Sequence, residues 1–480
     1  MKTLKRSLGK VERECSGDLR RQSRNLNPQY HPMQRAREYT RAVTAAKMDR
    51  MFAKPLIGNL GHGHRDAVTV TAISRKSLVP LVSGAADGQV QLWDLASRKS
   101  VATINAHTRV VTGVCFSVSG QEFYSCSDDG IVKKWSIHAN EEQETDDLEE
   151  AKASSVFSRR GAKTTTTIDS SLEEGYRHGP LASWRTSGSF KSIDHHWFDP
   201  QFATASDEAV QIWTPDRSLA LQTHTDLWGS QDTVNTVRYN PSERSLLAHC
   251  SADRGIGLFD TRTGVALKKT VLRMRSNDLE WNPMEPMNFA VANDDYNAYT
   301  FDMRKLDEPL RIFKGHTSAV MSLSWSPTGK EFVTGSYDRT LRIFPVNGGT
   351  SRDIYHTKRM QRVFSVNYSM DHKFIVSGSD DSNLRLWKAR ASEQLGQLTS
   401  REESAMQYRQ ALIKRHKHLP EVKSIHRARK VPKVVKKQTA QAIIMKESAE
   451  RKQANRVKYS KNGEHKFVSE RKKVVVKEID

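Results

Sequence analysis

Cysteine is scarce in this 480-residue chain. Cys15, Cys115, Cys126 and Cys250 show neither a Cys-x-x-Cys spacing nor a histidine at zinc-ligand spacing. That pattern argues against a disulfide framework or a zinc module and reads as four reduced thiols. No apolar run approaches the roughly 18 residues needed to cross a bilayer, and the N-terminal MKTLKRSLGK lacks the apolar core of a secretory signal, so an intracellular protein without membrane partners is expected. The chain also lacks a Gly-x-Ser-x-Gly elbow, a phosphate-cradling glycine loop and a paired-carboxylate motif. These absences argue against hydrolase, nucleotide and glycosidase chemistry, and no cofactor or small-molecule substrate is expected.

What the chain does contain is a repeat. Residues 315–344, GHTSAVMSLSWSPTGKEFVTGSYDRTLRIF, open on Gly-His, alternate apolar residues across Val320, Leu323 and Trp325, turn at Ser326-Pro327-Thr328-Gly329, and turn again at Asp338 before Leu341, Ile343 and Phe344. This alternation predicts short antiparallel strands. The ruler is a turn aspartate followed six residues later by an aromatic. It recurs as Asp87/Trp93, Asp129/Trp135, Asp207/Trp213, Asp253/Phe259, Asp295/Phe301, Asp338/Phe344 and Asp381/Trp387, at intervals of 42, 78, 46, 42, 43 and 43. A period of about 40–45 with a Gly-His start and a Trp-Asp-like end is the WD-repeat signature, and seven units close a ring. The expected fold is all-β: a seven-bladed WD-repeat β-propeller over residues 52–390 with basic helical extensions at both ends.

Residues 1–51 form a basic arm in which Gln34 to Met51, free of Gly and Pro and with Tyr39, Val43, Ala46 and Arg50 at helical spacing, predict a helix. Residues 52–60 precede the first Gly-His-like start, Gly63-His64, and are expected to supply the outer strand of the last blade, closing the ring. The one long interval holds residues 138–180, where EEQETDDLEE places seven acids in ten residues; it reads as a disordered insertion between blades two and three. Residues 391–480 are a basic helical C-terminal domain. Its first helix carries Ala405, Tyr408, Leu412 and Leu419 on one face, is capped by Thr399 or Ser400 with Glu402 and Glu403 in the first turn, and stops at Pro420. A connector broken by Pro432 leads to a second helix over 438–459, whose apolar stripe is Ile443, Ile444, Ala454 and Val457.

Ser336, His316 and Asp338 suggest a hydrolase triad. Matching His64/Asp87/Trp93 and His107/Asp129/Trp135 indicate instead a structural network in which the histidine bridges the turn aspartate and a hydroxyl or tryptophan on the following strands. Asp381 and Trp387 close the same pattern in blade seven. His195-His196 in the degenerate third blade are strand neighbours that point to opposite faces and do not share an ion, so no metal site is assigned.

The net charge of +21 is uneven: residues 1–50 carry +8, residues 401–480 carry +14, and the middle is −1. Basic ends on a neutral ring fit a scaffold whose arms meet a polyanion, most naturally nucleic acid. The candidate phosphate contacts are Arg427, Arg429, Lys430, Lys433, Lys436, Lys437, Arg451, Lys452, Arg456 and Lys458.

Several non-repeat segments carry a resemblance beyond the propeller. They include Arg37-Glu38-Tyr39, Phe52-Ala53-Lys54-Pro55, Ile193-Asp194-His195-His196-Trp197, Trp281-Asn282-Pro283-Met284-Glu285, Tyr299 to Arg304, Ser326 to Phe332, Tyr355 to Gln361, and Leu398-Thr399-Ser400-Arg401-Glu402. With them the chain resembles, over nearly its full length, the SOF-type WD-repeat proteins of the small-subunit processome, known in animals also as cullin-RING-ligase-associated factors. The acidic insertion departs from that family in length and composition. The resemblance implies a non-enzymatic scaffold of the nucleus and nucleolus that assembles on pre-ribosomal RNA with the box C/D small nucleolar RNP and other processome proteins, and that 18S rRNA maturation requires. It also implies an alternative, substrate receptor of a cullin-RING ubiquitin ligase, in which Arg262 and Arg304 of the endings Phe259-Asp260-Thr261-Arg262 and Phe301-Asp302-Met303-Arg304 dock the ligase adaptor. The competing role for these residues is an intrablade salt bridge of Asp260 with Arg262 and of Asp302 with Arg304.

Overall fold

Each alternating repeat folds into a small antiparallel sheet. The structure is a computed structural model and describes residues 27–61, 63–137, 179–207, 209–225, 233–461, 464 and 468–479. Cys15 and the acidic insertion, apart from Gly179 and Pro180, lie outside the described residues. Among the described residues the strands form seven sheets, each the blade of a propeller. The first strands, Val68–Ile73, Val111–Phe116, Phe190–His195, Val234–Tyr239, Ser276–Trp281, Val320–Trp325 and Val363–Tyr368, line a common axial cavity.

The ring closes by borrowing. Leu56–Asn59 pairs antiparallel with Leu384–Lys388 of blade seven, setting Leu56 opposite Trp387, Gly58 opposite Leu386 and Asn59 opposite Arg385. Leu60 follows it into a core shared with Val68, Trp93 and Leu384. The closing strand is shorter than the expected 52–60 because Phe52 caps the preceding helix and stays 65% exposed.

Blade-to-blade packing explains small residues that pattern reading left unassigned. A Cβ on Gly84 would sit 2.5 Å from Val111 Cγ1, one on Gly335 2.6 Å from Val366 Cγ2, and one on Gly378 2.7 Å from Val68 Cγ1. Glycine there lets the next blade's first strand close down. Polar side chains then stitch the inner strands together. Thr69 donates to the Val111 carbonyl (2.6 Å), Thr112 to Phe190 (2.7 Å), Thr236 to Asn277 (2.9 Å), Asn277 to Val320 (2.8 Å) and Asn367 to Thr71 (2.6 Å). All seven ruler aromatics are at most 3% exposed.

The contacts divide the chain into two compact units that differ from the expected three-part division. One joins Gln394–Ala428 to the N-terminal segment ending at Ala53; the other joins Lys54–Glu393 to the tail from Arg429. In the first, α1 (Gln34–Met51), α2 (Ser400–His416) and α3 (Pro420–Arg427) share a small core of Ala42, Ala46, Leu412 and Val422. Thr399 caps α2 through a reciprocal box with Glu402. Pro420 does not simply end that helix. It opens α3, where the missing N–H of a first-turn proline costs nothing.

In the second unit, α4 (Lys433–Tyr459) begins five residues before the expected 438, because Pro432 sits at its N-cap rather than breaking a connector. A final strand, Val475–Ile479, was not foreseen. It pairs with the outer strand Val265–Leu272 of blade four, and Val474 and Val475 pack against the core of Leu258, Leu272 and Leu279. Three valines flanked by lysines are enough to extend a sheet edge by backbone hydrogen bonding.

Deleting residues 1–60 removes the closing strand and Leu60. It should lower ring stability by about 3 kcal/mol or more, a fall in Tm on the order of 5 °C, and open a protease site near Trp387. Unchanged unfolding with no new cleavage would contradict the closure.

Candidate nucleic-acid interface

Most of α4 is in solvent. Of its 27 residues only Val435 is buried, while the stripe residues Ile443, Ile444 and Val457 are 52%, 63% and 51% exposed. Such a helix contributes almost nothing by packing, and its basic groups face outward. At about 100° per residue, Lys433, Lys436, Lys437, Arg451 and Lys458 share one half of the circumference, with Lys452 and Arg456 on the other. The helix is held at its start, where Thr317 Oγ1 lies 2.9 Å from Gln438 Oε1, and through Glu470, which bridges Lys314 and Lys446. Lys430 is exposed; in the other unit, so is Arg427.

Arg429 is a correction to the candidate set. Its guanidinium lies 3.2 Å from Asp353 Oδ1, donates to the Arg352 carbonyl, and is 13% exposed. Arg352 in turn bonds Glu331 (2.9 Å) and Asp353 (3.1 Å), so Arg429 belongs to a network that fastens the tail to blade six, and its charge is already matched.

The expected His–Asp–hydroxyl network forms in blades two and six. In blade two, burial holds His107 neutral against the pull of Asp129; its Nδ1–H donates to Asp129 Oδ2 (3.1 Å) and its Nε2 accepts from Ser125 (2.9 Å), whose oxygen accepts the Trp135 N–H (3.0 Å). Blade six repeats this as Asp338, His316 and Thr334, with Phe344 ending the chain of contacts. Burial alone would raise Asp338, but His316, Thr340 and Arg342 hold its carboxyl at about 2. Ser336 donates to the Ser318 and Ala319 carbonyls rather than to His316, so the three residues are no triad.

The other blades depart from the pattern: Asp207 accepts from Ser189, Asp253 from Lys269 and Asp295 from Tyr299, and blades one and seven differ again. His64 bonds Ser83 (2.6 Å), which accepts from Trp93 (2.7 Å), but Asp87 turns to the Gln89 backbone N–H and leaves His64 Nδ1 without a partner. Burial lowers His64 to about 4. In blade seven Asp381 pairs with Arg385, while Trp387 donates to Ser377 (2.8 Å).

His195 and His196 each bond backbone atoms, and the buried His195 Nε2 is left without a hydrogen-bond partner. His195 Nδ1 lies 2.8 Å from the His196 carbonyl, and His196 bonds the Arg244 carbonyl and the Asp199 N–H. Among the described residues no group of three His, Cys, Asp or Glu side chains is placed to hold a metal. Cys115, Cys126 and Cys250 are free and buried, and burial pushes the Cys126 thiol up to about 12. Of the two aromatic-Asp-x-Arg endings, Arg304 forms the expected pair with Asp302 (2.8 Å) yet remains 69% exposed. Asp260 instead accepts the backbone N–H of Arg262, whose exposed side chain makes no ion pair among the described residues.

The axial cavity, about 460 Å³, holds a charge cluster that the sequence reading missed. Arg75 lies over Trp197 (3.8 Å) and pairs with Asp194 (3.2 Å), while Arg238 approaches Asp278 (3.7 Å). Asp278 and Glu280 stand two apart on one strand face, where period 2 places both toward the axis; that alternation was the available signal. Burial, then repulsion from Asp278, raises Glu280 to about 8, and its Oε2 accepts the Trp325 N–H at 2.7 Å.

Seven such blades with an appended basic tail define a WD-repeat propeller carrying a Sof1-like C-terminal domain: residues 56–94, 98–136, 307–344 and 353–388 match the WD domain, G-beta repeat, and residues 389–475 match the Sof1-like domain. The chain is 41% identical to Protein SOF1 of Saccharomyces cerevisiae, covering 99% of this chain and 94% of that protein. It is also 41% identical to DDB1- and CUL4-associated factor 13 of Danio rerio, over the whole of both chains, and 42% identical to the Homo sapiens protein of that name, over 99% of each. The chain belongs to this Sof1-like WD-repeat family. The WD40 β-propeller domain of Doa1 superposes with a TM-score of 0.54 at 17% identity, covering 70% of this chain and 96% of that one, and shows the fold alone.

A raised Glu280 favours folding while it holds its proton, and that contribution is lost as pH climbs from about 4.5 through 8. Glu280→Gln keeps an acceptor for the Trp325 N–H and does not titrate. The variant should match the wild type near pH 5 and exceed it by about 1–2 kcal/mol at pH 9, less than full linkage because the carboxyl borders the cavity. Denaturant unfolding across that range checks this; a gap that fails to widen with pH refutes it.

Proposed function

We propose that the protein is a non-enzymatic assembly factor of the small ribosomal subunit that grips pre-ribosomal RNA through its basic C-terminal arm. The ring then supplies contacts to other processome proteins and to the box C/D small nucleolar RNP. The observation that carries this reading is α4: a 27-residue helix with one buried side chain and basic groups left in solvent, inside a tail of net charge +14. A helix with so little apolar contact needs a partner to cover it, and cationic side chains at helical spacing match a phosphate backbone. The Sof1-like domain over these residues and the yeast relative, Protein SOF1, support the ribosomal assignment, and a nucleolar location is part of the same proposal. No described helix is long and apolar enough to cross a membrane.

Replacing Arg427, Lys430, Lys433, Lys436 and Lys437 with glutamine should weaken RNA association. It should also flatten the log–log salt dependence by about 0.7–0.9 per lost contact and cause 18S precursors to accumulate, with the ring still folded. Normal precursor processing in cells whose sole copy ends at residue 428 would refute the mechanism.

A second reading, substrate receptor of a cullin-RING ligase, is favoured by the exposure of Arg262 and Arg304 and by relatives named DDB1- and CUL4-associated factor 13. Under it, Arg262→Ala with Arg304→Ala abolishes pulldown of the adaptor. Undiminished capture by the double variant removes this docking mode.

A further inference from the structure

One turn position differs systematically around the ring. In the described hairpins after the second strands of blades one, two, four, five, six and seven, the residue following the ruler aspartate takes a left-handed conformation; blades one and two use glycine there, Gly88 (φ 88°) and Gly130 (φ 75°), and blade seven the small Ser382 (φ 63°). Blades four, five and six place Arg254 (φ 69°), Tyr296 (φ 71°) and Arg339 (φ 63°) at the equivalent site. Bulky L-residues are disfavoured in this region, and such strain gathers where a side chain has work outside the fold. All three are exposed, Tyr296 by 50%.

Their neighbours on the same ring face share their chemistry. Arg254 Nη1 lies 3.5 Å from the carbonyl of the exposed Arg273, and the Arg362 guanidinium stands 5.4 Å from the centroid of Tyr337, itself 37% exposed. Of the turn acids beside these residues, Asp253 pairs with Lys269, Asp294 with Arg275 and Asp338 with His316, while the exposed Asp380, whose backbone N–H bonds the Arg362 carbonyl, makes no ion pair among the described residues. Among the described residues no carboxylate forms an ion pair with Arg254, Arg273, Arg339 or Arg362. A run of unmatched guanidinium groups interleaved with exposed tyrosine rings crosses three successive blades.

We propose that this row, Arg254, Tyr296 and Arg339 with Arg273, Tyr337 and Arg362, is a binding track for single-stranded RNA on the ring itself. The arginines would take phosphates and the rings would stack on bases, the combination that holds single strands without reading their sequence. An acidic protein segment would use the charge but leave the aromatic rings unexplained. The track also adjoins the arm, because Thr317 on this face bonds Gln438 near the start of α4. The inference rests on the reading of the protein as an RNA-associated factor and extends RNA contact from the tail to the propeller.

Glycine relieves the strained turns, so the test separates folding from binding. Full-length protein carrying Arg254→Gly, Tyr296→Gly and Arg339→Gly should unfold at or above the wild-type temperature. It should bind a labelled oligouridine of about 16 nucleotides at least tenfold more weakly at 0.1 M salt, with a log–log salt slope shallower by about 1.4 for two lost phosphate contacts. A second full-length variant, Lys433→Gln with Lys436→Gln and Lys437→Gln, tests the arm separately. Failure of the wild type to bind RNA overturns the proposed function and this track together. Binding weakened by the arm variant but unchanged in affinity and slope by the turn variant overturns the track alone. So does a turn variant that binds RNA normally and loses a protein partner.

Discussion

A ring of sheets has no free edge only if its two chain ends meet in one blade, and here Leu56–Asn59 on Leu384–Lys388 performs that closure. Everything inside the ring depends on it. The glycine-to-valine contacts at Gly84, Gly335 and Gly378 and the inner girdle of Thr69, Thr112, Thr236, Asn277 and Asn367 each join a blade to the next, and the two that cross from blade seven to blade one, Gly378 against Val68 and Asn367 on Thr71, exist only while the circle is complete. Opened at blade seven, the sheet would expose a template for pairing with other chains and leave the Asn367–Thr71 link unmade. The cost of bringing residues about 330 apart together is a loop-closure entropy that rises only logarithmically with length, and one strand with a buried leucine offsets it.

The tail reuses the same physics. Val475–Ile479 adds a fifth strand to blade four, and Arg429 ties the tail to blade six through Asp353. Between these anchors α4 is left with one buried side chain. The chain thus spends some of its basic residues on fastening and leaves the others in solvent, and net charge does not reveal which is which. A rigid propeller with a helix moored at both ends fits a part that joins other molecules.

The ring was legible because its signals are local and repeated: a turn aspartate, an aromatic six residues on, and apolar alternation between. The helices at 34–51 and after Thr399 were legible from spacing and capping residues. What escaped depended on contacts between distant residues. Arg429 reads like any other tail arginine until Asp353 is beside it, and the Val474 to Val476 run is too short to announce a strand without a free edge to receive it. By pattern alone Pro420 and Pro432 look like stops, although a proline that ends one segment is equally suited to begin the next. Asp87 fits the ruler by position and still turns away from His64, since a repeat fixes where a residue lies and not which of two donors it chooses. Of the candidate interface, the charge of the arm was visible in the sequence; its exposure was not.

The proposed function requires direct contact between this protein and precursor ribosomal RNA. Ultraviolet crosslinking of the tagged, full-length protein in living cells, with sequencing of the attached RNA and identification of the crosslinked peptides, measures that contact most directly. The account predicts reads concentrated in small-subunit precursor RNA and crosslinked peptides drawn from α4. RNA recovery no higher than from untagged cells, with ubiquitin-ligase subunits as the main co-purifying proteins, would contradict it.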